Sequence, residues 1–169
     1  LCSDIHKPSI ETIRQNHPNT NIILGDIKKI NPNLIKQLLN GRRPDVLIGG
    51  VPCQGFSLNN KKRRDDDDRN FLYKEYLKFV QVLNPRSVLL ENVSGMKSVG
   101  NFVNTIEEEL SNASQMQVKS KMLNSEDYGV PQKRKRLIFI GVENKKFDFD
   151  RIIKTHGIGK QKYNTIANA

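Results

Sequence analysis

A chain of 169 residues, 36% of them hydrophobic, is long enough for one domain with a real core. Its 28 Lys+Arg against 18 Asp+Glu leave a formal charge of +10, which points to a polyanionic partner. Its cysteines, Cys2 and Cys53, form no disulfide framework or zinc spacing, and no metal site is expected. With no run near ~18 apolar residues and no signal-peptide pattern, a soluble intracellular protein without membrane contact is expected.

The chain opens at Leu1 in what reads as a strand end, Leu1 to Ile5, and stops at Ala169 without a helix stop. It therefore reads as cut at both ends. Pro8 to Gln15 has helical character, with Ile10 and Ile13 on one face and proline near the first turn. Residues 21–24 form a short strand closed by Gly25-Asp26. Asn33 to Asn40 is a helix by the spacing of Leu34, Ile35, Leu38 and Leu39, and Gly41 stops it. Asp45 to Ile48 is a third strand. Alternating strands and helices of this kind predict a doubly wound, mostly parallel α/β sheet.

Gly49-Gly50-Val51-Pro52-Cys53-Gln54-Gly55-Phe56-Ser57 follows that third strand directly. The glycines end the strand and Pro52 stiffens the loop, so Cys53 falls at a carboxyl edge, where open α/β sheets keep their ligand crevice. A lone cysteine there is a candidate nucleophile, its ordinary alternative being a small buried hydrophobe. Leu58 to Asp68 has no apolar periodicity and carries Lys61-Lys62-Arg63-Arg64 before four aspartates, which alone reads as a solvated loop. Phe71 to Leu83 predicts an amphipathic helix with Leu72, Tyr76, Phe79, Val80 and Leu83 on its core face, ended by Pro85.

Ser87 to Leu90 is an apolar strand that delivers Glu91-Asn92-Val93 to the edge holding Cys53. Asn101 to Leu110 reads as a helix and Met116 to Leu123 as a strand. The connection from Asn124 to Pro131 is too short for a crossover helix, so the next strand, Arg136 to Val142, should run antiparallel. Its beginning then lies at the same edge, where Arg134 and Arg136 point to one face if extended. Beyond Lys145 no element is predicted. A thiolate, a carboxyl group and a guanidinium pair suit attack on an electron-poor ring. The histidines, His6, His17 and His156, read as lying away from this edge, and no hydrolase triad fits.

Gly50-Val51-Pro52-Cys53-Gln54, Glu91-Asn92-Val93 and Gln132-Lys133-Arg134-Lys135-Arg136 resemble, in order and approximate spacing, three central motifs of the DNA (cytosine-5)-methyltransferases. Asp127-Tyr128-Gly129-Val130-Pro131 matches as well. The resemblance implies a Rossmann-like, S-adenosylmethionine-dependent methyltransferase fold with an antiparallel last strand. It also implies that the first strand, its glycine-rich turn and the target-recognition domain lie outside this chain. Residues 1–145 would be catalytic, and 146–169 would run out toward the recognition region.

The implied reaction is methyl transfer to carbon 5 of a flipped-out cytosine in double-stranded DNA, as in restriction–modification. By the same resemblance Cys53 attacks carbon 6, Glu91 contacts N3 and the exocyclic amine, and Asn92 supports the Pro-Cys loop. Arg136 holds O2, and Arg134 helps position the base. Asp4 would bind ribose hydroxyls and Ile5 the adenine face. Asp26, with Ile27 beside it, would contact the adenine amine, while Pro52 and Leu72 line the methyl donor. Gln54, Ser57, Lys61, Lys62, Arg63 and Arg64 fall on the DNA side. A tRNA cytosine-5 methyltransferase of the same fold and a catalytically inactive DNA-binding fragment are the competing readings. The oligomeric state is not legible.

Overall fold

The computed structural model describes residues 1–51, 72–95 and 101–168, in two compact units, Leu1–Arg42 and Arg43–Ala169. In the first, β1 (Cys2–Asp4) and β2 (Ile22–Leu24) pair in parallel, Asp4 opposite Leu24. The helix between them, α1 (Lys7–Asn16), takes Pro8 in its first turn, where a missing N–H costs nothing. Its buried Ile10 provides the apolar anchor. α2 (Pro32–Leu38) is capped by Asn31, whose Oδ1 accepts from the Asn33 N–H at 2.9 Å. It stops short of the expected Asn40 because Asn40 and Gly41 both take positive φ, 51° and 72°.

The second unit is built on a four-stranded sheet in the order β3-β4-β6-β5, where β3 is Leu47–Gly49, β4 is Ser87–Val93, β5 is Lys119–Asn124 and β6 is Lys135–Val142. β3 and β4 are parallel, and β6 runs antiparallel to both β4 and β5. This bears out the mostly parallel sheet with an antiparallel last strand. The last strand in sequence is nonetheless interior in space, which its buried alternation of Leu137, Phe139 and Gly141 suits.

Two helices, α3 (Tyr73–Leu83) and α4 (Phe102–Ser114), cover one face of this sheet. Val88, Leu90, Phe139 and Leu137 meet Tyr73, Tyr76, Val80, Ile106 and Leu110 there. The expected core face of α3 is corrected at two positions: Tyr73 is buried and Phe79 only half so. The reason is α4, whose Phe102 packs edge-on against Tyr73 with ring centroids 5.7 Å apart. α4 itself runs past the expected Leu110. Its polar last turn is satisfied internally, the Ser111 and Ser114 hydroxyls donating to the Glu107 and Leu110 carbonyls. The stretch after β6, read as featureless, contains 3-10 turns at Phe149–Arg151 and Ile166–Asn168 and a bridge between His156 and Gln161.

Phe139 is fully buried at the centre of this core. Truncating it in Phe139→Ala should cost about 3–5 kcal/mol and lower the unfolding midpoint by roughly 10–20 °C. The fully exposed Ile158 provides the contrast: Ile158→Ala should stay within about 0.5 kcal/mol of the parent. Equal midpoints for the two variants in a thermal melt would place the core elsewhere.

Candidate active site

The second face of the sheet carries the charged pair. Along β4 the alternation that buries Leu90 and Asn92 turns Glu91 the other way. In the antiparallel ladder Glu91 stands opposite Ile138 and Val93 opposite Arg136, so Glu91 and Arg136 are diagonal neighbours on one face. Arg136 Nε lies 2.5 Å from Glu91 Oε1, with the side chains 25% and 36% exposed. The guanidinium also donates through Nη1 to the Lys135 carbonyl at 2.8 Å. A Cβ built on Gly50 would sit 4.0 Å from Glu91 Oε2. The second carboxylate oxygen thus faces the chain three residues before Cys53. A part-exposed carboxylate, held at one oxygen by a guanidinium and without a hydrogen-bond partner among the described residues at the other, can accept from or protonate a planar heterocycle.

The other expected residues fall into three groups. Asn92 is buried on the helix side, its Oδ1 accepting from the Val93 N–H at 2.7 Å. Arg134 precedes β6 with an exposed side chain, and its carbonyl accepts from both the N–H and the hydroxyl of Ser125 at 3.0 Å. Since β6 begins at Lys135, Arg134 and Arg136 are not two positions of one strand. Pro52, Cys53, Gln54, Ser57, Lys61, Lys62, Arg63 and Arg64 lie outside the described residues.

In the first unit, Asp4 and Asp26 stand at or just past the carboxyl ends of two adjacent parallel strands, with the Gly25 N–H donating to the Asp4 carbonyl at 3.0 Å. Each carboxylate also has a local turn role. Asp4 accepts from the His6 N–H at 2.8 Å, and Asp26 accepts from the Lys28 N–H at 3.0 Å. Ile5, 69% exposed, gives the same edge an apolar surface, and Ile27 opens the 3-10 turn Ile27–Lys29. Carboxylates at this edge beside an open apolar side chain fit the ribose and adenine of a nucleoside-type ligand. Leu72, in the second unit, packs against the core at the head of α3.

The sequence reading missed what supports the arginine strand. The 3-10 turn Ser125–Tyr128 leads toward β6, and its Asp127 is buried. The Asp127 carbonyl accepts the N–H groups of Thr155 and His156, each at 3.0 Å. Its carboxylate holds the Lys154 ammonium at 2.8 Å and lies 3.4 Å from the Tyr163 hydroxyl. Asp127 thereby raises the Lys154 pKa above that of an ordinary lysine, through the hydrogen bond first and charge second. Gly129, at φ 87°, has no room for a Cβ, which would lie 2.8 Å from the His156 ring. His156 thus sits against the connection that enters β6. The Asp127-Tyr128-Gly129 motif and His156 are each legible in the sequence, but nothing in their spacing shows that they touch.

A family model described as C-5 cytosine-specific DNA methylase matches residues 1–168. The chain is 36% identical to the Type II methyltransferase M1.HphI of Haemophilus parahaemolyticus, over 83% of this chain and 39% of that one. It is 35% identical to the Type II methyltransferase M.BspRI of Lysinibacillus sphaericus, over 99% of this chain and 38% of that one. The chain thus spans about two fifths of the length of these curated relatives. An Escherichia coli crystal structure assigned as a prophage-encoded DNA modification methyltransferase superposes with a TM-score of 0.68 at 32% identity, covering 83% of this chain and 39% of that one. The S. pombe Dnmt2 methyltransferase, at 17% identity and a TM-score of 0.67 over 96% of this chain and 50% of that one, shares the fold.

Proposed function

From the premise that the chain belongs to the C-5 cytosine-specific DNA methylase family, we propose that it carries catalytic machinery of a restriction–modification DNA (cytosine-5)-methyltransferase. The observation that carries the reading is the Glu91–Arg136 pair on one sheet face, its second carboxylate oxygen turned toward Gly50 and the chain that leads to Cys53. In this reading Cys53 Sγ bonds carbon 6 of a flipped cytosine, and the electrons of the 5,6 double bond make carbon 5 nucleophilic. Glu91 meets N3 and the exocyclic amine, so charge pushed into the ring is met by a proton or hydrogen bond. The Arg136 guanidinium, already oriented by Glu91, holds O2. Arg134 and Asn92 position base and nucleophile. Once that electron pair has bonded carbon 5 to the methyl group, loss of the carbon 5 proton to water and expulsion of Sγ restore the 5,6 double bond.

S-adenosylmethionine supplies an electrophilic methyl group when bound. Asp4, Ile5, Asp26 and Ile27 would hold its nucleoside end, with Pro52 and Leu72 lining the methyl side. Residues 1–145 are the catalytic part in this reading, and 146–169 lead toward the recognition region. Double-stranded DNA inside the cell is the substrate, and among the described residues no helix is long and apolar enough to cross a membrane. The RNA alternative uses the same chemistry, but the Type II relatives at 35–36% identity favour DNA.

Lys61, Lys62, Arg63 and Arg64 are assigned to phosphate contact. Replacing all four with alanine should weaken DNA binding and flatten the slope of log affinity against log salt by about 3–4. An unchanged slope in a salt titration would return the run to ordinary solvated surface.

The deciding experiment supplies the natural-length protein with methyl-labelled S-adenosylmethionine and, in parallel reactions, duplex DNA or transfer RNA, then digests each nucleic acid to nucleosides. Label in 5-methylcytosine is expected. Label confined to exocyclic nitrogens, or found in RNA and not DNA, would overturn the proposal.

A further inference from the structure

Tyr76 lies at 3% exposure on α3 and does more than fill the core. Its hydroxyl is 2.8 Å from the Leu47 carbonyl on β3 and 3.2 Å from the Leu89 carbonyl on β4. One proton is therefore shared between two adjacent parallel strands. Burial pushes its pKa well above the ordinary tyrosine value, so the hydroxyl remains a donor. The ring lies against the backbone of Gly49, where a Cβ would meet Tyr76 Cδ2 at 2.6 Å and Cε2 at 2.8 Å. The next residue, Gly50, faces Glu91 Oε2 on the opposite side. The end of β3 thus runs between an aromatic ring on the helix side and the Glu91 carboxylate on the other. A phenylalanine would fill the same volume. It would not tie the two strands together.

We propose that Tyr76 is a positioning residue for the nucleophile: it fixes the end of β3 relative to β4, and so sets where the chain carrying Cys53 departs with respect to Glu91. This rests on the reading of Cys53 as nucleophile. Cys53 follows Gly49 by only four residues, so a displaced strand end moves the point from which the chain carrying the nucleophile departs. An error of about 1 Å in such a geometry costs on the order of 100-fold in rate. The same contact explains a glycine at position 49, because any side chain there must displace the ring or the strand.

The test uses the natural-length protein, S-adenosylmethionine and a duplex with 5-fluorocytosine at the target, and reads the single-turnover rate of covalent complex formation per folded molecule. Tyr76→Phe should slow that rate about tenfold with unchanged DNA affinity. Gly49→Ala should slow it by about 100-fold. Combining Gly49→Ala with Tyr76→Leu relieves the two closest contacts and leaves Leu90 Cδ1 at 3.2 Å, so the double variant should recover most of the rate that Gly49→Ala alone loses. Melting temperatures, recorded separately, account for any loss of stability. Wild-type rates per folded molecule in both Tyr76→Phe and Gly49→Ala, whatever their melting temperatures, would make Tyr76 core filler and overturn the inference alone. A wild-type protein that forms no complex would overturn the nucleophile reading and this inference with it.

Discussion

A Cys53→Ser variant should form no covalent complex with 5-fluorocytosine DNA and should lose methyl transfer by roughly 10⁴-fold or more. The reason is chemical rather than structural. A thiol is partly ionised near neutral pH and its thiolate is strongly nucleophilic, whereas a serine hydroxyl without an adjacent base is neither. Fluorine at carbon 5 cannot leave as a proton does, so the wild-type reaction should stop with Sγ still bonded to carbon 6, in a complex that survives denaturation. DNA affinity should be nearly unchanged, because the substitution removes no cationic contact. The chain contains its own control. Cys2, on β1 in the other compact unit, is a free, half-buried thiol, and Cys2→Ser should leave the yield intact. A complex that persists in Cys53→Ser and vanishes in Cys2→Ser would show that the nucleophile is misassigned.

What could be read from the residues was governed by how local the physics is. Ile10 and Ile35 lie on faces set by helical period and are buried. β6 had to turn back because eight residues cannot cross a sheet, but the ladder of Arg136 against Val93 also needs β6 to lie between β4 and β5, which the reversal alone does not fix. With the direction known, Glu91 and Arg136 were expected at one edge, and the β4–β6 pairing makes them neighbours there. Phe79 against Tyr73 was settled by Phe102, about thirty residues further along the chain, which no periodicity within α3 could reveal. The Asp127 contacts with Lys154, Thr155, His156 and Tyr163 are likewise pairings between two irregular segments. Irregular segments carry no period, so their partners are legible only once the chain is folded. Asp4 and Asp26 show the reverse limit. Their turn bonds are the ones any aspartate makes at a strand end, and only their shared edge sets them apart.

Glu91→Gln should lower methyl transfer by about 10²–10⁴-fold while leaving the fold and DNA binding near wild type. The amide is nearly isosteric, and its carbonyl can still accept from Arg136 Nε, so the pair that shapes this face survives. What is lost is the charge and the ability to exchange a proton with a ring nitrogen. Arg136→Lys tests the other half. An ammonium keeps the charge but has no planar fork, so it cannot hold Glu91 and a carbonyl oxygen in one fixed geometry. A loss of about 10²-fold is expected there, with little change in melting temperature because the pair is part-exposed and contributes modestly to stability. Acid should rescue neither variant. Lowering the pH by one or two units cannot restore a proton-exchanging group to glutamine, nor a fork to lysine, so neither rate should recover. If Glu91→Gln retains more than a third of the wild-type single-turnover rate, Glu91 serves only to orient Arg136, and the proton that the ring requires must come from a group outside this pair.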